Sequence, residues 1–222
     1  MPSRFFPSAA RASREGLVAI GGRLTVDRLL DAYRHGIFPW PMQPYEQMLW
    51  WSPDPRAILP LDGMHVSRRL ARRLRNGQFD VRVNTAFEQV ILGCASGPGR
   101  ELGTWLTPEM IAAYVDLHRL GHAHSVECWQ GDRLVGGVYG VAVGGLFAAE
   151  SMFYRATDAS KAALARLVKH LRRKGYELLD VQQWTGHTGR LGVTEISRRE
   201  YLRRLAAVVD LPITFGDRLE PL

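Results

Sequence analysis

The chain has 222 residues, 46% of them hydrophobic, which is enough for one large domain or for one domain with a small extension. It carries 29 Lys and Arg against 22 Asp and Glu, and this excess favours either a polyanionic partner or a basic solvated surface. Its two cysteines, Cys94 and Cys128, are too few for a disulfide scaffold or a metal cluster, and no apolar run approaches the ~20 residues of a membrane span. We therefore expect a cytoplasmic protein without a metal site or a membrane segment.

The first sixty residues differ in composition from the remainder of the chain. Pro- and Trp-rich runs occupy 36–41 and 50–56, and the stretch from Thr25 to Gly36 has the N-cap, apolar stripe and terminal glycine of a helix. We interpret residues 1–60 as a small N-terminal domain and residues 61–222 as a second, larger domain.

Helices and strands alternate through the larger domain. Hydrophobic periodicity predicts helices at 66–76, 84–94, 107–121 and about 158–174, a last helix opening at Ser197, and strands at 79–83, 124–129, 134–143, 146–150 and 178–182. Helices followed by a strand meander, a further helix and a further strand predict a mixed α/β (α+β) fold.

Polar side chains interrupt two of these apolar strands. Because side chains alternate along a strand, Asp180 and Gln182 lie on the same face of the strand at 178–182. Glu150 ends the strand at 146–150. A carboxylate at a strand end ordinarily faces water, but two acidic strand ends could instead share a cleft, and the pattern alone leaves both interpretations open.

Four tryptophans, Trp40, Trp50, Trp51 and Trp105, fall in segments predicted to be loops. Core packing is the default for tryptophan. The alternative is base stacking, which is worth ~1–3 kcal/mol per base in single-stranded nucleic-acid sites. We assign Trp50 and Trp51 to the core and consider Trp40 and Trp105 the candidates for stacking.

Basic residues cluster on three of the predicted helices. One such helix is ordinarily a solvated face, whereas three favour contact with phosphates, at an affinity that falls as salt rises. The clusters are Arg68, Arg69, Arg72, Arg73 and Arg75; Arg166, Lys169, Arg172, Arg173 and Lys174; and Arg198, Arg199, Arg203 and Arg204.

Other catalytic patterns are not met. His118, His122 and His124 are separated by Gly121, which breaks the helix between them, and no cysteine pattern supports zinc. The paired glycines lack the Gly-Lys-Ser/Thr ending of a phosphate-binding loop, and no Gly-x-Ser-x-Gly nucleophile motif is present.

The chain resembles the bacterial leucyl/phenylalanyl-tRNA–protein transferases along nearly its whole length. The matching segments occur in the order of that family: GIFPWP at 36–41, WWSPDPRAILP at 50–60, GTWLTPEM at 103–110, HRLGHAHSVE at 118–127, LVGGVYGVAVGGLF at 134–147, ESMF at 150–153, ASKAAL at 159–164 and LLDVQ at 178–182.

The resemblance implies an enzyme that transfers Leu or Phe from aminoacyl-tRNA to proteins with an N-terminal Arg or Lys, and so marks them for N-end rule degradation. Because one methylene is worth only ~1–3 kcal/mol in an apolar pocket, we expect Met to be tolerated as a further donor. The resemblance further implies a small N-terminal domain followed by a GNAT-like acyltransferase domain, with no cofactor, since the acyl donor is tRNA rather than coenzyme A. The GNAT acyl-CoA loop is indeed not evident before the helix at 158–174.

The resemblance also implies three groups of site residues. They are Asp180 and Gln182 as the catalytic pair with Glu150 beside them, Trp40 and Trp105 around the terminal adenosine, and Val138, Phe147 and Met152 in the apolar pocket for the transferred side chain. Two alternatives remain: an N-acyltransferase that uses acyl-CoA, and an RNA-binding module without catalysis.

Overall fold

The computed structural model describes residues 2–42, 47–96 and 104–219, so Gly103, which opens the GTWLTPEM motif, lies outside the described residues. The described chain folds into two β-sheets with α-helices packed on them, and the predicted mixed α/β class is confirmed.

The larger sheet holds seven strands. They are β4 (Arg56–Ile58), β5 (Asp80–Val83), β6 (Ala123–Gln130), β7 (Arg133–Val143), β8 (Leu146–Tyr154), β9 (Leu178–Gln182) and β10 (Thr194–Ile196). Their spatial order is β10-β4-β9-β8-β7-β6-β5, and only the pairing of β8 with β9 is parallel. A smaller antiparallel sheet, in the order β1-β3-β2, is formed by β1 (Leu17–Ile20), β2 (Phe38–Pro39) and β3 (Leu49–Trp51).

Several of the helices begin at a residue whose side chain caps the first turn, although Asp158, which precedes the helix Ala159–Lys174, forms no such hydrogen bond. Their bounds are α1 (Val26–Arg34), α2 (Arg68–Arg75), α3 (Phe87–Ser96), α4 (Pro108–Arg119), α5 (Ala159–Lys174), α6 (Gly186–Gly189) and α7 (Arg198–Val208), with a 3₁₀ turn at Ala9–Arg11. The side chains of Thr25, Thr107 and Ser197 accept backbone N–H groups of the first turns of α1, α4 and α7, as predicted.

Three sequence predictions shift in the structure. The helix predicted at 84–94 begins at Phe87 because Asn84 adopts a left-handed conformation, with φ +56°, at the end of β5. The helix predicted from residue 66 begins at Arg68. Trp50 and Trp51 lie in β3 rather than in a loop.

Strand β8 is longer than predicted and carries a β-bulge at its centre. The strand continues to Tyr154, so Glu150 does not end it. The register with β7 shifts between Ala149 and Ser151, which leaves Glu150 as the extra residue on β8.

The bulge changes which face of the sheet each β8 side chain occupies. Before it, Ala148 packs with one core and Phe147 with the other; after it, Phe153 joins the core of Ala148, and Met152 joins that of Phe147. A regular strand would have kept even-numbered residues on one face.

The large sheet separates two hydrophobic cores. On one side, here called the α4 face, it packs with residues of α1, α3, α4 and α7; on the other, the α5 face, with residues of α2 and α5. The α4 face also contains Tyr33 and Trp50 of the N-terminal segment, and β4 joins the same large sheet. The division of the chain near residue 60 stays a prediction.

Gly140 in β7 lies where β7 and β8 approach each other most closely. A Cβ added there would lie 2.3 Å from the Ala148 carbonyl oxygen and 2.5 Å from the Phe147 ring. We expect Gly140→Ala to lower the free energy of unfolding by about 1–3 kcal/mol, because a buried backbone cannot move aside without repacking. Gly186→Ala, where the added atom meets nothing within 4 Å, is the matched control. Equal stability of the two variants in urea unfolding would contradict the expected clash.

Candidate active site

The Asp180 carboxylate at the end of β9 forms a buried ion pair with Arg56 of β4. Arg56 Nε donates to Asp180 Oδ1 at 2.9 Å and Nη2 to Oδ2 at 2.5 Å, a two-pronged contact between side chains that are 1% and 0% exposed. Arg56 Nη1 also donates to the Gly36 carbonyl at 3.1 Å. The guanidinium lies 4.7 Å from the ring of Phe38 and 4.4 Å from that of Tyr201.

Both carboxylate oxygens of Asp180 accept a further hydrogen bond. Oδ1 accepts the Gln182 backbone N–H and Oδ2 accepts the Tyr201 hydroxyl, each at 2.9 Å. Burial is the largest single effect and lowers the pKa of Arg56, but the charges and hydrogen bonds of its partners, Asp180 first among them, together outweigh it and raise that pKa above its usual range. The charge of Asp180 is therefore matched within the protein, and its oxygens are occupied by protein donors.

Gln182 turns out of the strand to join this carboxylate to Glu150. Its φ of +62° lies in the left-handed region, which is uncommon for a residue other than glycine and marks local strain. In this conformation the backbone N–H contacts Asp180, while side-chain Nε2 donates to Glu150 Oε1 at 2.7 Å.

The bulge in β8 places Glu150 against two tyrosines of the α4 face. Oε1 lies 2.8 Å from the Tyr33 hydroxyl of α1, Oε2 lies 3.1 Å from the Tyr114 hydroxyl of α4, and the two hydroxyls lie 2.7 Å apart. Burial is the largest effect on the Glu150 carboxyl group and raises its pKa to about 7. Burial also raises the pKa values of Tyr33 and Tyr114 well above the usual range.

The structure thus brings Glu150, Asp180 and Gln182 into one buried polar network. Its other four members, Arg56, Tyr201, Tyr33 and Tyr114, were not predicted from the sequence. A signal existed for Arg56, because it is a charged residue directly preceding the apolar run Ala57-Ile58-Leu59. Tyr33 belongs to the apolar stripe of α1, so the sequence pattern predicted a core residue and did not indicate a role for its hydroxyl.

Trp40 and Trp105 stack on each other. Their ring centroids are 4.9 Å apart and their planes differ by 14°. The indole N–H of Trp51 fixes this position by donating to the Trp40 carbonyl at 2.9 Å. Trp50 is fully buried, as assigned from the sequence, and Trp51 is partly buried beside the same core.

The three apolar residues predicted to line a pocket lie on the other side of the sheet. Val138 and Met152 are register partners on the α5 face, and Phe147 packs edge-on against Tyr176 there. The parallel ladder between β8 and β9 ends at Ala148 and Asp180. Beyond that point the two strands are no longer paired, and Glu150 and Met152 follow on β8.

The basic helices divide between the two sides of the sheet. Helices α2 and α5 share the α5 face, where Asp158 pairs with Arg69, Arg73 and Lys161. Helix α7 lies on the α4 face, and its Glu200 binds two arginines of the same helix, Arg203 and Arg204. The clusters therefore do not form one continuous basic surface.

Within the described ranges, no helix combines the length and apolarity needed to cross a membrane.

Two family models match the chain. The model described as "Leucyl/phenylalanyl-tRNA protein transferase" covers residues 58–206, and that of the N-terminal domain of the same family covers residues 22–54. The chain is 52% identical to the leucyl/phenylalanyl-tRNA–protein transferase of Nitratidesulfovibrio vulgaris strain DP4, over 95% of this chain and 90% of that protein. It is 50% identical to the enzyme of that name from Thiobacillus denitrificans, over 94% and 92%.

Solved structures match more weakly. The structure of L-PGS from Bacillus licheniformis aligns with a TM-score of 0.43 at 14% identity, over 61% of this chain and 48% of that one. A GCN5-related N-acetyltransferase-like protein from Streptococcus suis aligns with a TM-score of 0.36 at 15% identity, over 73% and 60%. Similarity at this level supports no inference about this chain.

The pKa of Glu150 makes stability depend on pH in a defined direction. Its rise from 4.5 to about 7 means that the folded state binds the Glu150 proton more tightly than the unfolded state does. The contribution of Glu150 to the free energy of unfolding is therefore fully present below pH 4.5 and is lost as pH rises through 7. At about 1.4 kcal/mol per pH unit, the loss approaches about 3 kcal/mol. We expect the difference in unfolding free energy between wild type and Glu150→Gln to change by this amount between about pH 4 and pH 8. If urea unfolding shows the same free-energy difference between the two proteins at every pH, the raised pKa of Glu150 is excluded.

Proposed function

This chain belongs to the leucyl/phenylalanyl-tRNA protein transferase family and is therefore an aminoacyltransferase with an aminoacyl-tRNA donor and a protein acceptor; we propose that it transfers Leu or Phe, and also Met, to proteins that begin with Arg or Lys. The observation that supports this most is the buried network of Glu150, Gln182, Asp180 and Arg56, which joins residues of separate matching motifs. We further propose a cytoplasmic role in N-end rule degradation, and two domains, 1–60 and a GNAT-like 61–222.

The chemistry asks the protein mainly to position its substrates. The amine nitrogen of the acceptor forms a bond to the ester carbonyl carbon, the bond from that carbon to the ribose oxygen of the tRNA breaks, the amine loses a proton and the ribose oxygen gains one. A free α-amino group has a pKa of about 8, so roughly a tenth is neutral at pH 7. Because the ester is already activated, holding the amine against it supplies much of the rate enhancement.

Gln182 is the residue best placed to contact the reacting amine. Its Nε2 is engaged by Glu150, which directs the amide oxygen away from Glu150 as an acceptor for an amine N–H. Asp180 is occupied by Arg56, Tyr201 and the Gln182 backbone. We therefore assign Asp180 the role of a positioning charge that fixes Gln182, rather than that of a proton acceptor.

Trp40 and Trp105 are proposed to hold the terminal adenosine of the donor. With ring centroids 4.9 Å apart, the pair leaves no room for a third ring between them. The adenine therefore stacks on an outer face of the pair, or the two rings separate when the donor binds. Either contact would be worth ~1–3 kcal/mol.

The donor side chain is proposed to enter where the pairing of β8 with β9 ends, toward Met152, Val138 and Phe147. Met152 is partly exposed there, whereas Val138 and Phe147 are buried behind it. Apolar pockets distinguish side chains that differ by one methylene by only ~1–3 kcal/mol, so the donors Leu, Phe and Met are all accepted.

The reaction is tested with Phe-charged tRNA and a peptide that begins with Arg. We expect a product heavier by one phenylalanyl residue, measured by mass spectrometry, and no product from the same peptide beginning with Ala. Phenylalanine transfer to both peptides would refute the acceptor rule. Bound but intact charged tRNA would favour the RNA-binding module, and acetylation of the peptide by acetyl-CoA would favour the acyl-CoA enzyme.

The role of Asp180 is tested with Asp180→Asn. The substitution leaves the Arg56 charge unmatched and replaces one acceptor oxygen with an NH₂ group, so that Gln182 N–H and the Tyr201 hydroxyl can no longer each bind a separate oxygen. We therefore expect kcat to fall by about 100-fold with the KM for charged tRNA nearly unchanged, as for a misplaced catalytic group. Asp210→Asn, which alters an exposed ion pair with Arg34, is the matched control and should retain full activity. Equal losses in kcat and in donor affinity would assign Asp180 to donor binding instead.

A further inference from the structure

Four oxygen atoms of Tyr33, Tyr114 and Glu150 form a closed ring of contacts. Tyr33 lies 2.7 Å from Tyr114 and 2.8 Å from Glu150 Oε1, and Tyr114 lies 3.1 Å from Glu150 Oε2. The carboxyl carbon closes the ring between Oε1 and Oε2. All three side chains are buried, so each contact that lacks a proton is costly.

The number of protons decides whether all three contacts can be hydrogen bonds. The two phenols supply two protons and keep them, since burial raises the pKa values of Tyr33 and Tyr114 well above the usual range. With an ionised Glu150, one of the three contacts has two oxygen atoms facing each other with no proton between them. With a protonated Glu150, three protons serve three contacts.

We propose that Glu150 is held as a neutral carboxylic acid whose proton completes a closed ring of three hydrogen bonds with the hydroxyls of Tyr33 and Tyr114. Glu150 Oε2 donates to Tyr114, Tyr114 donates to Tyr33, and Tyr33 donates to Glu150 Oε1.

The other contacts of Glu150 agree with this arrangement. Oε1 accepts both Tyr33 and the Gln182 amide, as a carbonyl oxygen with two lone pairs does, whereas Oε2 contacts Tyr114 and has the role of the hydroxyl. The charged side chains beside Glu150 are Arg56 of β4 and Asp180 of β9, which pair with each other. The guanidinium is thus engaged elsewhere, and burial favours the neutral acid.

The consequence for transfer rests on the proposed function. With the hydrogen bonds running in this sense Oε1 is an acceptor, so the Gln182 amide presents its NH₂ group to Glu150 and its oxygen to the acceptor amine. Reversing all three hydrogen bonds would make Oε1 the hydroxyl and remove this orientation. Tyr33 and Tyr114 are accordingly positioning residues, which act on the substrate through Glu150 and Gln182.

The experiment is a titration of the Glu150 carboxyl group that does not require activity. The protein is prepared with glutamate labelled with ¹³C at the side-chain carboxyl, and the infrared band lost in Glu150→Gln identifies Glu150. We expect wild type to show a protonated acid at pH 6. Tyr33→Phe and Tyr114→Phe should each lower the midpoint by about one pH unit, because the neutral form loses two hydrogen bonds while the ionised form loses one and is relieved of an unfavourable contact.

The direction in which the Glu150 titration midpoint moves distinguishes the ring with a neutral acid from an ionised Glu150 that accepts hydrogen bonds from both tyrosines. If the tyrosines only donated to a carboxylate, removing either hydroxyl would raise the midpoint, and that result would overturn the proposal. Tyr176→Phe is the matched control: this buried hydroxyl has no hydrogen-bond partner among the described residues, so its loss should leave the midpoint unchanged. Should neither phenylalanine variant fold by circular dichroism, a wild-type midpoint near the unperturbed 4.5 would overturn the proposal on its own.

The infrared titration does not depend on transferase activity. The hydrogen-bonded ring can therefore be refuted while the transferase assay succeeds, or be supported while that assay fails. Glu150→Gln provides a second check on the folded protein. A glutamine amide can accept from Tyr33 and donate to Tyr114, so this variant should retain the pattern and unfold at no lower a temperature than wild type near neutral pH. A marked loss of thermal stability there would show that a carboxylate, not a neutral acid, is required.

Discussion

Arg56 and Asp180 form the ion pair on which the geometry of the candidate site depends. The pair joins β4 to β9, accepts the Tyr201 hydroxyl of α7 and binds the carbonyl at Gly36, so four separate segments meet at one buried charge pair. Its net contribution to stability can be small, because two charges must leave water to form it. Removing one partner is different, since the other charge is then buried and unmatched at a cost of about 3–5 kcal/mol. The pair therefore fixes the position of these segments more than it stabilises the fold, and its Asp180 also accepts the backbone N–H of Gln182 in the left-handed conformation.

The elements that could be predicted from the sequence are those whose signals are local. Helix α5 has an apolar stripe and Gly175 at its end, and β9 is a short apolar run with alternating polar residues. The placement of Asp180 and Gln182 in one polar site followed from that alternation. The bulge at Glu150 could not be predicted, because it is a register shift against β7 and no residue of β8 encodes it alone. The same holds for Tyr33 and Tyr114, whose hydroxyls meet across 81 residues of chain.

The bulge explains how a sheet buried on both faces can present an acid to one of them. Without the extra residue, the side chains after Ala148 would continue to alternate, and Met152 and Phe153 would exchange cores. With it, the polar network occupies the α4 face while the aliphatic and aromatic wall stays on the α5 face. Under the proposed function, the residues that orient the amine and those that enclose the apolar side chain would thus lie on opposite sides of one sheet.

The long sequence separation of the central ion pair also has a consequence for biosynthesis. Asp180 is made 124 residues after Arg56, and Tyr201 follows Arg56 by 145 residues. At ~5–20 residues per second, an emerging chain carries an unmatched Arg56 for roughly 6–25 s before its partner exists. The N-terminal segment cannot complete its core during that time, because the helices and strands that cover it are made later. Contacts of such long range also slow the closing steps of folding. A nascent chain of this enzyme therefore cannot form its central charge pair until residue 180 has been made, and a ribosome that stalls before that residue leaves a fragment without the pair.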